Sequence, residues 1–179
     1  MLEKGYTATT IDAICRKAEV TKGSFFHYFK NKENLGKMLI ERFSCSMGEA
    51  FQNSSCCQSD DPLDRVYGYL DCAIQMLKNP SSKGCLVGTF TQELSKSHPG
   101  IRALCAKSFD QSLEMFKKDF AEAKAKYVPK NNFDVAGLVE CFMALSQGSI
   151  ILAKAKRDRS VIERTLSHFR HYLKSLFER

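Results

Sequence analysis

Four prolines and ten glycines in 179 residues are too few for a turn-dense β-sandwich or for a disordered chain. No stretch alternates apolar and polar residues for a useful strand length, and no repeat of solenoid type is visible. No run of apolar residues approaches the ~18 that a membrane-spanning helix needs, and no signal peptide is seen. These absences predict a soluble, cytoplasmic, helical protein with no membrane partner. Cys-x-x-Cys pairs are also lacking, and the four histidines form no cluster with the cysteines, so no metal site and no cofactor is expected. Nor is there a convincing nucleophile with a base. Cys85 and His98 are a conceivable thiol pair, but they read as a helix and a helix start, so no catalytic residue is assigned.

What is present fits two modules. With 44% hydrophobic residues the chain can bury a good core. Its length suits a small N-terminal module plus a second domain of about 130 residues. A formal net charge of +7 suits a nucleic-acid partner. The excess is unevenly placed: residues 1–46 carry eight Lys/Arg against five Asp/Glu, while residues 154–179 carry eight against three. The C-terminal excess reads as a solvated helix face rather than a second nucleic-acid contact. Of the eight cysteines, Cys15, Cys45, Cys72, Cys85, Cys105 and Cys141 sit in helical patterns, where a reduced thiol behaves as a small hydrophobe. Cys56 and Cys57, in the polar loop 52–61, read as exposed loop residues, although vicinal thiols could be oxidised or take a soft metal.

Residues 7–35 are the most informative stretch. Ile11, Ile14, Cys15 and Ala18 fall on one stripe of a short helix from about Thr10 to Ala18, with Thr9 as its expected N-cap and Asp12 as the partner three positions on. After a tight Ala18-Glu19-Val20 connection, in which Val20 is expected to plug the turn, Thr21 can cap a second helix with Lys22, Gly23 and Ser24 in its first turn. Such a helix N-terminus offers free N–H groups and partial positive charge to a phosphate. Lys22 can reach a guanine edge or a phosphate, Ser24 can hydrogen-bond a base edge, and Gly23 allows close approach. Phe25 and Phe29, four apart, should face inward, while Phe26, His27 and Tyr28 cannot all do so. Asn31 then caps the next helix.

The run Gly5-Tyr6, Thr9-Thr10-Ile11, Ile14, Ala18-Glu19-Val20-Thr21-Lys22-Gly23-Ser24 and His27-Tyr28-Phe29-Lys30-Asn31-Lys32-Glu33-Asn34-Leu35 resembles the DNA-binding domain of the tetracycline-repressor (TetR) family. A weaker second likeness, to the regulatory domain of one TetR subgroup, lies in Gly84-Cys85-Leu86-Val87-Gly88, Gln92-Glu93-Leu94 and His98-Pro99. The resemblance implies an all-α protein, with an N-terminal helix-turn-helix DNA-binding domain (1–46) and a C-terminal helical ligand-binding and dimerisation domain (47–179). It further implies that Thr10 holds a phosphate, that Lys22 and Ser24 face bases, and that Thr21 and Gly23 set the approach. Phe26 and His27 would then contact the backbone, and Lys32 a phosphate. Phe26 departs from the pattern, since a tyrosine is common there and its hydroxyl is missing. Met1-Leu2-Glu3-Lys4 resembles only the last turn of the family's first helix, so that helix is expected to be largely missing.

Beyond residue 46 the chain reads as helices: from Asn31 to about Phe51, from Pro62 to near Asn79, from Gly84 to Lys96, and from Pro99 until Pro129 breaks it. The Pro99 helix carries the stripe Ile101, Leu104, Cys105, Phe109, Phe116 and Phe120. Two further helices follow, Phe133–Ala155 with the small residues Ala144, Ser146, Gly148 and Ser149, and a last one striped by Ile162, Leu166, Phe169, Leu173 and Leu176. These two are expected to form a homodimer's four-helix bundle, which would set two recognition helices into successive major grooves of palindromic double-stranded DNA. By resemblance a small-molecule effector, hydrophobic or aromatic, is expected among Met76, Leu86, Phe90, Phe109, Phe116, Phe142 and Met143. The function so implied is a ligand-responsive transcriptional regulator, a repressor rather than an activator. The alternative is a cytosolic ligand- or redox-sensing helical module without DNA-binding activity.

Overall fold

A computed structural model describes residues 1–177, with the side chain of Cys56 outside the description. Among the described residues there are eight α-helices, one 3₁₀ turn (Ser55–Cys57) and no strand. The helices are α1 (Ile11–Ala18), α2 (Lys22–Tyr28), α3 (Lys32–Gln52), α4 (Pro62–Lys78), α5 (Leu86–Leu94), α6 (Pro99–Tyr127), α7 (Val135–Lys156) and α8 (Ser160–Phe177). The all-α expectation is met.

Side-chain caps explain most helix starts. Asp61 accepts from the Leu63 and Asp64 N–H groups at 2.8 and 3.3 Å, with Pro62 in the first turn where a missing N–H costs nothing. Asp134 accepts from Ala136 and Gly137, and Asp158 from Ser160 at 2.9 Å. The helix expected from Gly84 starts later, at Leu86. Gly84 takes a left-handed φ of 91°, and Cys85 becomes the cap, its Sγ accepting from the Gly88 N–H at 3.4 Å.

The chain packs as two compact units, one of Met1–Ser46 with Cys85–Phe109, the other of Met47–Gly84 with Asp110 onward. Residues 85–109, read from sequence with the second domain, therefore pack with the first 46; this is a division by packing, and the division by function is a separate matter. The first unit's core joins Tyr6, Ile40, Leu86, Val87, Phe90, Leu94, Ile101 and Cys105. Gly36 gives the Tyr6 ring room, since a Cβ there would lie 3.2 Å from it, a tight approach.

In the second unit α7 packs on α8, and α4 on both α8 and the 3₁₀ turn. Phe116 is its aromatic centre, with rings of Phe51, Tyr69 and Phe142 at 5.2, 4.7 and 5.3 Å. Full burial of the Phe116 and Phe142 rings contributes about 1.5–3 kcal/mol each of transfer free energy, while Phe51 is half-buried. The α8 stripe is buried at Ile162, Leu166, Phe169 and Leu173, with Leu176 half-buried. Cys57, expected to be exposed, is buried in this core because the 3₁₀ turn folds back onto α4. The expectation for the Cys56 side chain lies outside the described residues.

One reading from sequence needs correction. Despite Glu140, α7 is long and apolar enough by length and composition to cross a membrane. Part of that apolar surface is internal, as Leu138, Val139, Phe142, Ile150 and Ala153 are buried. Ile151 and Leu152 are 45% and 47% exposed.

Candidate nucleic-acid interface

The interface is assembled at two adjoining helix starts. Thr10, not the expected Thr9, caps α1: its backbone is extended and its Oγ1 accepts from the Ala13 N–H at 3.1 Å. Thr9 is buried instead, donating its hydroxyl to the Gly5 carbonyl at 2.6 Å. The connection turns at Glu19, which adopts a left-handed φ of 55° and directs its N–H to the carbonyls of Cys15 and Arg16. Glycine usually takes that role, so the sequence carried no cue for it. Val20 does not plug the turn; it is 45% exposed, and the inward places are filled by Cys15 and Phe25.

Thr21 caps α2 as expected, its Oγ1 accepting from the Ser24 N–H at 3.0 Å. Lys22 extends beside α1, its Nζ 2.8 Å from Asp12 Oδ1. That hydrogen bond first, and the carboxylate's charge second, raise the lysine's pKa above its ordinary value. A Cβ on Gly23 would meet nothing closer than Thr21 Oγ1 at 3.6 Å, an ordinary contact. Packing inside the protein therefore does not require glycine there. Phe25 is buried and Phe29 half-buried, while Phe26 and Tyr28 are 52% and 74% exposed. The His27 ring packs edge-on to Tyr28 at 4.8 Å.

Seven of the eight candidate contact residues (Thr10, Thr21, Lys22, Gly23, Ser24, Phe26 and His27) are thus exposed on α1, α2 and their caps. Lys32 differs. It is half-buried, its Nζ donating to the carbonyls of Tyr6 and Thr9 at 3.0 and 3.1 Å and lying 4.3 Å from the Tyr6 ring centroid. Two of the ammonium's three donors are thus spent on carbonyls of the chain itself.

Glu93, from α5, accepts the N–H groups of Tyr6 and Thr7, both at 2.7 Å. Gly5 makes this possible: its φ is 81°, and a Cβ there would sit 2.8 Å from Glu93 Oε2. Sequence reasoning missed both this clamp and the Asp12–Lys22 pair. Asp12 was legible only as a capping partner, and no local spacing ties residue 93 to residue 6.

Residues 1–37 match the family described as bacterial regulatory proteins, tetR family, and residues 62–169 match the tetracyclin repressor-like C-terminal domain. The chain belongs to the TetR family. This TetR-family regulator is 31% identical to the transcriptional regulator AcuR of Cereibacter sphaeroides, over 86% of this chain and 71% of that protein. It is 28% identical to the HTH-type transcriptional repressor DhaR of Mycobacterium sp. (strain GP1), over 93% of this chain and 82% of that one. The crystal structure of regulatory protein TetR from Rhodobacter sphaeroides superposes with a TM-score of 0.83 at 28% identity, covering 94% of this chain and 89% of that chain. Reduced NemR of E. coli shares the fold, with a TM-score of 0.81 at 22% identity, covering 95% and 89%.

The candidate effector-wall residues of this TetR-family chain divide between two clusters. Leu86 and Phe90 are buried in the first unit's core, with Phe109 packed against it. Phe116 and Phe142 are buried in the second unit's core, with Met76 and Met143 half-buried at its edge. Among the described residues, no group of three or more His, Cys, Asp or Glu side chains could hold a metal ion.

Proposed function

We propose that this TetR-family regulator is a ligand-responsive repressor that binds a palindromic operator as a homodimer and is released by a small-molecule effector. The observation that carries the reading is the exposed start of α2, where Thr21, Lys22, Gly23 and Ser24 stand clear of the core beside the Thr10 cap of α1. A helix end of that kind suits a major groove: its N–H groups and dipole attract phosphate, and Lys22 and Ser24 can reach base edges. Thr10 Oγ1 is used as an acceptor by Ala13, which leaves its proton free for a phosphate oxygen.

Dimerisation is supported by the outer side of α7 and α8, where Ile151, Leu152 and Tyr172 are exposed beside the small residues Ala144 and Gly148. A second copy laid there would cover the apolar surface of α7, and its two-fold symmetry would match a palindrome. The effector is taken to be apolar or aromatic, bound among the Phe116 and Phe142 rings with Met76 and Met143 at the edge, and it must bind the DNA-incompetent state better than the competent one. The protein would act in the cytoplasm, where its DNA is.

Selection of bound DNA from a randomised duplex library tests the reading. The expected product is a palindrome, bound with steep salt dependence and lost with Lys22→Ala. Recovery of nothing above background by folded, effector-free protein would overturn it.

A further inference from the structure

Lys22 is the one Lys or Arg in α2, and its ammonium is engaged by Asp12 at 2.8 Å, with both side chains exposed. Asp12 lies in the first turn of α1, the turn that Thr10 caps. A carboxylate from the start of α1 therefore holds the cation at the start of α2. It is favourably set against the α1 dipole, so it carries no evident penalty for the fold.

We propose that Asp12 is a specificity-determining residue: by pairing with Lys22 it opposes contact with the phosphates of arbitrary duplex while leaving the lysine able to donate to a guanine edge. The proposal rests on the DNA-binding reading above. Phosphates attract any lysine whatever the sequence, and each one neutralised releases counterions. A lysine whose charge is already matched by a carboxylate gains little from a phosphate, and the carboxylate is then repelled by it. Guanine O6 and N7 are uncharged acceptors at fixed positions in the major groove. Three N–H donors allow Lys22 to keep Asp12 and still serve that edge. The cost thus falls on phosphate contact, which every duplex offers, more than on base contact, which only the operator offers.

The test compares wild type, Asp12→Asn, Asp12→Glu, Lys22→Ala and the Asp12→Asn/Lys22→Ala double variant. Affinity is measured for the selected operator and for a scrambled duplex of equal length, by fluorescence anisotropy across a salt series, with circular dichroism melts to check folding. Asp12→Asn is expected to bind the scrambled duplex several-fold tighter, with a salt slope steeper by about 1, near the ~0.9 of one phosphate contact. Operator affinity should change less, so the operator-to-scrambled ratio falls. Asp12→Glu, which restores the carboxylate, should restore the ratio, and in the Lys22→Ala background the Asn substitution should no longer steepen the slope. The proposal is overturned if Asp12→Asn leaves ratio and slope unchanged, or weakens both duplexes equally. A Lys22→Ala protein that keeps full operator affinity would instead remove the DNA-binding reading on which it rests.

Discussion

Glu93 holds the chain just where the helix-turn-helix begins. Burial by itself would raise its pKa, but hydrogen bonds from Thr7 and Tyr6 and the charge of Lys32 outweigh that and hold it below its ordinary 4.5. A lowered folded value means the ionised form favours the fold. Its contribution is therefore complete above about 4.5 and is lost as pH falls through the folded pKa. Glu93 is exposed, so water screens the clamp and Glu93→Gln should lower stability at neutral pH by no more than about 1 kcal/mol, and the gap to wild type should close as the pH drops below 4.5. Thermal melts over a pH series measure both, and a gap that persists in acid would mean the carboxylate's charge is not what matters. At this scale the sequence was legible where partners are local. Thr21 and Asn31 cap helices three residues ahead, as their spacing announces. It misled at Thr9 and Val20, because which of two adjacent threonines caps, and which way a valine turns, depend on backbone angles that Glu19 and the Gly5 turn decide.

At the scale of elements, Arg159 ties the turn before α8 to the end of α4. Its Nη1 donates to the carbonyls of Leu77 and Asn79, both at 2.8 Å, and its Nη2 to Ser82 at 2.7 Å. Leu77 lies in the last turn of α4, where a helix end leaves carbonyls without intrahelical partners, while Asn79 also accepts from the Ser82 N–H at 2.9 Å. A guanidinium fork can serve these carbonyls together, whereas a single ammonium cannot. Arg159→Lys is therefore expected to cost about 2 kcal/mol and lower Tm by a few degrees, read by thermal circular dichroism. An unchanged Tm would show that water serves those carbonyls equally well. Helix identities were visible in apolar spacing and in Pro62 and Pro99, since a proline is tolerated in the first turn of a helix. Helix α5 began later than expected because Gly84 takes a left-handed turn, which spacing does not report.

For the whole molecule, the exposed apolar side of α7 bears on assembly. Ile151 is exposed in the single chain, so Ile151→Glu should leave the fold intact while converting a dimer into a monomer in sedimentation velocity. Operator affinity should fall with it, because a monomer engages only one half-site. A variant that stays dimeric would move the interface elsewhere. By itself the sequence determined the helical class, the family and the helix-turn-helix, because apolar period, caps and a dense local motif all act over a few residues. Only the tertiary structure decided that residues 85–109 pack with the first 46, that Lys32 turns inward to two carbonyls, and that Asp12 and Glu93 reach their partners. Those pairings join groups far apart in the chain or on different helices, and such contacts come into being only when the helices pack.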